Sequence, residues 1–159
     1  MKYHIITIGK IKEKYLTAGM DEFLKRLRPY GQVEITVMPE EKMPDNPSEA
    51  QKRQVLEKEG EKLLRHVRAG SHLFVLDVQG QLISSEELSE KFSALALHGC
   101  SELSFIIGGP FGLSEQVCRQ ADSRISFGRI TLTHQMIRLL LLEQIYRAIK
   151  IQRHEPYHW

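Results

Sequence analysis

Two apolar runs restrict this chain more than any other feature in it. Residues 73–78 (Leu-Phe-Val-Leu-Asp-Val) and 103–107 (Leu-Ser-Phe-Ile-Ile) are almost continuously hydrophobic. A strand covered on one face alternates apolar with polar residues. One covered on both faces reads as an unbroken run, as in a parallel sheet flanked by helices. Further β-rich runs fall at residues 3–8, 33–38 and 125–127, the second with Val33, Ile35 and Val37 in strict alternation. Helical stretches lie between them at about residues 16–27, 48–67, 84–97 and 135–152, and a short one opens at Ser114. Ser48 with Gln51 has the spacing of a capping box, and Ser84 with Glu87 opens another helix. The expectation is an α/β fold with a mainly parallel sheet and helices on both faces. Ligands of such sheets bind outside the carboxyl ends of the strands, which here means after Val78, Ile107 and Phe127.

A length of 159 residues suits one domain spanning 1–159, and 42% hydrophobic with 26% charged residues is globular composition. Residues 39–48, with three prolines, read as a loop inside that domain. The net charge of +2 produces no strong general field for nucleic acid, although local patches remain possible at Lys10, Lys12 and Lys14, at Lys25, Arg26 and Arg28, and at Arg147, Lys150 and Arg153. The first residues are too short and too polar a run for a signal peptide, and nothing approaches the roughly 18 apolar residues of a membrane span. Cys100 and Cys118 form no CxxC pair and read as reduced thiols. A cytoplasmic protein without membrane contact is expected.

Three segments carry possible chemistry. After Ile107 comes Gly108-Gly109-Pro110-Phe111-Gly112, whose glycines let the backbone approach a ligand. A tight turn with no ligand explains it equally well. It is neither a Walker loop nor GxGxxG. Asp77, at another strand end, reads as a solvated turn carboxylate or a partner for a ligand hydroxyl. The last helix has Met136, Ile137, Leu139, Leu140, Leu141, Leu142, Ile145, Tyr146, Ile149 and Ile151 all round its circumference, so it must be covered on two sides; a homodimer would supply the second cover. Glu143, Arg147 and Lys150 interrupt it as one polar stripe. The closing residues include His154 and His158 four apart, but Pro156 between them breaks the helix, so no metal site is expected. Tyr157 and Trp159 could stack on a base, and His158 could move a proton near neutral pH. A non-catalytic RNA-binding factor and a nucleotide hydrolase remain rival classes at this point.

Several motifs together resemble the bacterial large-subunit ribosomal RNA methyltransferase H family. They are residues 107–113 (Ile-Gly-Gly-Pro-Phe-Gly-Leu), residues 126–134 (Ser-Phe-Gly-Arg-Ile-Thr-Leu-Thr-His), Glu143 with Tyr146 and Arg147, and Pro156-Tyr157-His158. Ile8-Gly9-Lys10 and Lys58-Glu59-Gly60 fit as well, and the likeness spans essentially the whole chain. The resemblance implies a SPOUT fold, an α/β knot with a trefoil near the C-terminus, where pattern rules alone favour an unknotted sheet. It further implies a homodimer that uses S-adenosylmethionine to methylate N3 of a pseudouridine in 23S ribosomal RNA within the ribosome. By the same resemblance Leu76, Gly108, Phe127, Gly128, Arg129, Ile130, Thr131 and Leu132 hold the cofactor. Glu143, Arg147, Tyr157 and His158 match positions of a composite catalytic site. Either His158 or Glu143 would take the proton, with Arg147 answering the developing negative charge. Family members often end in a basic residue after the Tyr-His pair, where this chain has Trp159.

Overall fold

The computed structural model describes residues 1–157. The elements run β1 (Lys2–Ile8), α1 (Lys14–Leu27), β2 (Gln32–Met38), α2 (Glu49–Leu64), β3 (His72–Leu82), α3 (Ser85–Leu97), β4 (Glu102–Ile107), α4 (Glu115–Gln120), β5 (Ser123–Ser126) and α5 (Met136–Gln152). The strands pair in parallel in the order β2-β1-β4-β3-β5, so β4 enters between β1 and β3.

Successive side chains of a strand point to opposite faces, and both faces are occupied. Tyr3, Ile5, Phe74, Leu76, Leu103, Phe105 and Ile107 meet α1, α3 and α5 through Met20, Leu27, Leu88, Phe92, Leu141, Leu142 and Ile145. Ile6, Ile8, Leu73, Val75 and Ile106 face the other way, onto Leu63 of α2 and Val117 of α4. The two unbroken apolar runs, β3 and β4, thus have helices above and below, as does β1. Each large apolar side chain buried this way contributes roughly 1.5–3 kcal/mol.

Capping boxes form at both Ser48–Gln51 and Ser84–Glu87. Four expectations need adjustment. The helix expected to reach residue 67 stops at Leu64; the Arg65 N–H still bonds the Glu61 carbonyl, but the His66 and Val67 N–H groups turn to carbonyls three residues back and tighten the chain. Strand β3 continues past Val78 to Leu82, because after a bulge it pairs with β5 again at Gln81 and Leu82. Strand β5 ends at Ser126, whose hydroxyl donates to the Gly128 carbonyl and accepts the Gly128 N–H, so Phe127 leaves the sheet. Finally, α5 lies on the sheet between α1 and α3. The chain therefore covers much of the apolar circumference that sequence reasoning left to a second subunit, with Ile137, Leu139, Leu140 and Tyr146 half-buried.

Candidate functional site

Because the strands are parallel, the carboxyl ends of β4 and β5 fall beside the bulge of β3, and together with the segments leaving β4 and β5 they enclose a cleft of about 290 Å³. That lies near the lower end of small-molecule sites. Leu76, Gly108, Phe127, Gly128, Ile130 and Leu132, six of the residues expected at a cofactor, line it. Arg129 and Thr131 do not. The Arg129 guanidinium instead donates to the carbonyls of Val78 and Gly80, the latter at 3.0 Å, and ties the segment after β5 to the bulge of β3. Gly108 is required by close approach: a Cβ there would lie 2.6 Å from the Gly112 carbonyl oxygen and 2.9 Å from the Leu113 side chain. Asp77 is a lining residue whose carboxylate is engaged, accepting from Arg124 Nε at 2.6 Å and from the Gln79 N–H at 3.0 Å.

The floor beneath this cleft comes from the start of the last helix. His134 and Ile137 line it as the chain enters α5. One turn on, Arg138 is 1% exposed, and its guanidinium donates to three backbone carbonyls: His134 at 3.0 Å, Gly9 at 2.8 Å, and Ile8. Burial pulls this guanidinium down to about 10. The same burial, with Arg138 beside it, holds the His134 imidazole below its usual range, against the pull of Glu40. His134 Nε2 is buried without a hydrogen-bond partner, since the Glu40 carboxylate stands 3.9 Å away. Glu59 is 3% exposed and accepts the Glu41 N–H at 3.0 Å; burial pushes its carboxyl up. A signal for His134 existed in the motif at 126–134, but nothing in the pattern marked Arg138 as buried.

The expected catalytic residues gather elsewhere. Arg147 donates to Glu143 Oε1 through Nε at 2.9 Å and Nη2 at 2.6 Å, and the Tyr157 hydroxyl donates to the same oxygen at 3.1 Å. Gln144 donates to Glu143 Oε2 at 2.6 Å. The Arg147 guanidinium stands 4.8 Å from the Tyr157 ring centroid. Hydrogen bonding to Glu143 raises the guanidinium further, and burial together with the Glu143 charge raises the phenol. Arg147 lies ten residues beyond Ile137 on α5, about 15 Å along the axis, and none of Glu143, Arg147 or Tyr157 lines the cleft of its own chain. His158 lies outside the described residues. Nearby, Lys150, Arg153 and the Tyr30 hydroxyl converge on Glu155 and hold its carboxyl down to about 2.

The model of the family described as "Predicted SPOUT methyltransferase" matches residues 1–158. Over 99% of both chains, this one is 51% identical to the ribosomal RNA large subunit methyltransferase H of Symbiobacterium thermophilum. It is likewise 51% identical to the protein of that name from Halothermothrix orenii, and 47% to that of Enterococcus faecalis, again over 99% of each chain. The chain belongs to this methyltransferase family. A knotted C-terminal region is typical of SPOUT proteins, and the α/β architecture agrees with the one expected from the sequence. Membership accounts for a glycine loop without a phosphate-binding lysine, since a methyltransferase of this family uses a methyl donor rather than a nucleoside triphosphate. Among the described residues no group of three or more His, Cys, Asp or Glu side chains is arranged to hold a metal ion, and no helix is long and apolar enough to cross a membrane.

Proposed function

We propose that this chain is an S-adenosylmethionine-dependent methyltransferase of N3 of a pseudouridine in 23S ribosomal RNA, acting on the assembled ribosome. In this proposal it works in the cytoplasm as a homodimer, with one domain, 1–159, per chain. The observation that carries it is the coincidence of the strand-end cleft with the residues that the likeness marks for a cofactor. The lining suits such a group. Leu76, Phe127, Ile130, Leu132 and Ile137 offer apolar walls for an adenine base and the methionine side-chain carbons. Gly108 and Gly128 bring bare backbone to its polar edges, and His134 Nε2 is a buried polar atom still without a partner. Arg129 belongs to the same segment and holds its shape from behind, and Thr131 is exposed on it. The chemistry supplied by the bound donor is a methyl carbon made electrophilic by a sulfonium.

On the acceptor side, an imide N3–H must give up its proton before its nitrogen can attack. Both Glu143 oxygens already accept hydrogen bonds from Arg147, Tyr157 and Gln144, so this carboxylate serves better as an anchor than as a base. His158 is the remaining proton acceptor, while Arg147 keeps its charge and answers the negative charge growing on the imide oxygens. The distance of this cluster from the cleft of its own chain supports a composite site, with one subunit providing the donor pocket and the other the polar cluster. Ile130 lines the cleft while remaining 80% exposed, which also favours a second body at its rim.

Calorimetry with S-adenosylmethionine and with ATP tests the first half: binding of the methyl donor is expected, and preference for ATP would overturn it. For the second half, mass spectrometry of ribosomal RNA should reveal one missing N3-methylpseudouridine in a strain lacking this protein. An unchanged modification pattern would refute the assignment.

A further inference from the structure

The segment leaving β1 presents a strip of charge beside the cleft. Lys10, Lys12 and Lys14 are exposed. Ile11 is drawn in against the core while Lys10 and Lys12 on either side of it stay in solvent. Alternate residues stand about 7 Å apart, close to the step between neighbouring phosphates of a nucleic-acid strand. Tyr15, 65% exposed, adds an aromatic ring at the end of the strip.

Most other cations are answered by carboxylates: Arg26 by Glu22, Lys62 by Glu41, Arg68 by Glu34 and Glu102, Arg124 by Asp77, and Lys150 by Glu155. Among the described residues the side chains of Lys10, Lys12 and Lys14 make no ion pair. Their position is fixed relative to the cleft. The Lys12 N–H donates to Gln135 Oε1 at 3.1 Å, and Gln135 directly follows the lining residue His134. The carbonyls just before the strip, of Ile8 and Gly9, are held by Arg138. With a net charge of only +2, a polyanion is drawn to local strips rather than by the field of the whole molecule.

We propose that Lys10, Lys12, Lys14 and Tyr15 form the docking strip for the RNA backbone flanking the methylated nucleotide, with the lysines on phosphates and Tyr15 stacked on an unpaired base. This rests on the RNA-methyltransferase function proposed above, and the test separates the two. Ribosomes from a strain lacking the protein serve as substrate, and methyl transfer is followed over a range of salt concentrations. For Lys10→Gln/Lys12→Gln/Lys14→Gln, KM for ribosomes should rise roughly tenfold and its logarithmic salt dependence flatten by about two. Turnover at saturation, donor affinity and Tm should stay near those of the unaltered protein, because these side chains are exposed. Tyr15→Ala should raise KM about fivefold or more without flattening the salt dependence. A control that removes as much charge elsewhere, Lys2→Gln/Lys58→Gln/Lys91→Gln, should leave the salt dependence steep. Unchanged KM and slope in the strip variant, or equal flattening in the control, would overturn the strip and leave the methyltransferase function standing. Failure of the unaltered protein to methylate these ribosomes would overturn both.

Discussion

A guanidinium taken out of water must be given back its hydrogen bonds, and Arg138 recovers them from the carbonyls of Ile8, Gly9 and His134. These carbonyls belong to the end of β1 and to the segment lining the cleft, so one side chain holds two parts of the site in register. Arg138→Met keeps the length and apolar character but leaves buried carbonyls without donors. It should cost about 3 kcal/mol in urea denaturation and weaken donor binding, whereas Arg138→Lys should recover part of both. Sequence could not disclose this, because an arginine in the first turn of a helix reads as a solvated charge poorly matched to the helix dipole. Three histidines, His4 buried and His72 and His134 half-buried, make a second prediction. Burial holds His4, His72 and His134 below the usual 6.5, so the unfolded chain binds more protons than the folded one. Stability is then full above about pH 6.5 and falls as pH drops toward the folded values. Glu59, pushed up from 4.5, acts in the opposite sense above its ordinary range, as one group against three. Tm should therefore fall from pH 7 to pH 5, and His4→Gln, which can keep the bond to Thr36, should make that fall shallower. A Tm independent of pH across this interval would contradict the burial assigned to these imidazoles.

Helices α2 and α4 meet where the backbone of Gly60 touches the cap of α4. A Cβ at Gly60 would lie 2.3 Å from Ser114 Oγ and 3.0 Å from Val117 Cγ2, both buried side chains, and that hydroxyl caps α4 through the Val117 N–H. Alanine in a helix is intrinsically better than glycine by about 1 kcal/mol. Here Gly60→Ala should nonetheless destabilise by about 1–3 kcal/mol, since the two helices must separate or the cap must be lost. Thermal unfolding decides the sign, and a stabilised variant would mean that the contact yields easily. Elements with a local cause were legible in the sequence: the capping boxes at Ser48 and Ser84, and the unbroken apolar runs of β3 and β4. Elements decided by a distant partner were not. The polar end of β3 at Gln79, Gly80 and Gln81 resembles a loop, and only renewed pairing with β5 makes it a strand. The apolar circumference of α5 suggested a second subunit because α1 and α3, its neighbours in space, are far from it in sequence.

At the scale of the molecule, the cleft and the Glu143–Arg147–Tyr157 cluster lie apart along α5, and the proposed composite site has to bring them together. The cleft was legible because glycines and strand ends leave a motif. The proposed pairing of cleft with cluster was not, since the two lie far apart along α5 and a contact between chains would leave no spacing within one. Subunit mixing decides whether it is made between chains. Gly108→Ala places a Cβ against the Gly112 carbonyl and should disable the donor pocket; Arg147→Ala should disable the acceptor side while leaving that pocket intact. Each variant alone should be inactive. In a composite dimer, unfolding and refolding an equal mixture creates mixed dimers in which the Arg147→Ala chain contributes a sound pocket and the Gly108→Ala chain a sound cluster. Random pairing makes half of the dimers mixed, each with one complete site of two, so activity should return to roughly one quarter of the unaltered level. If pocket and cluster of the same chain cooperate instead, every site in the mixture carries one defect and activity stays at zero. Donor binding by calorimetry supplies the internal check: it should be lost in the Gly108→Ala protein, kept in the Arg147→Ala protein, and intermediate in the mixture whether or not catalysis returns.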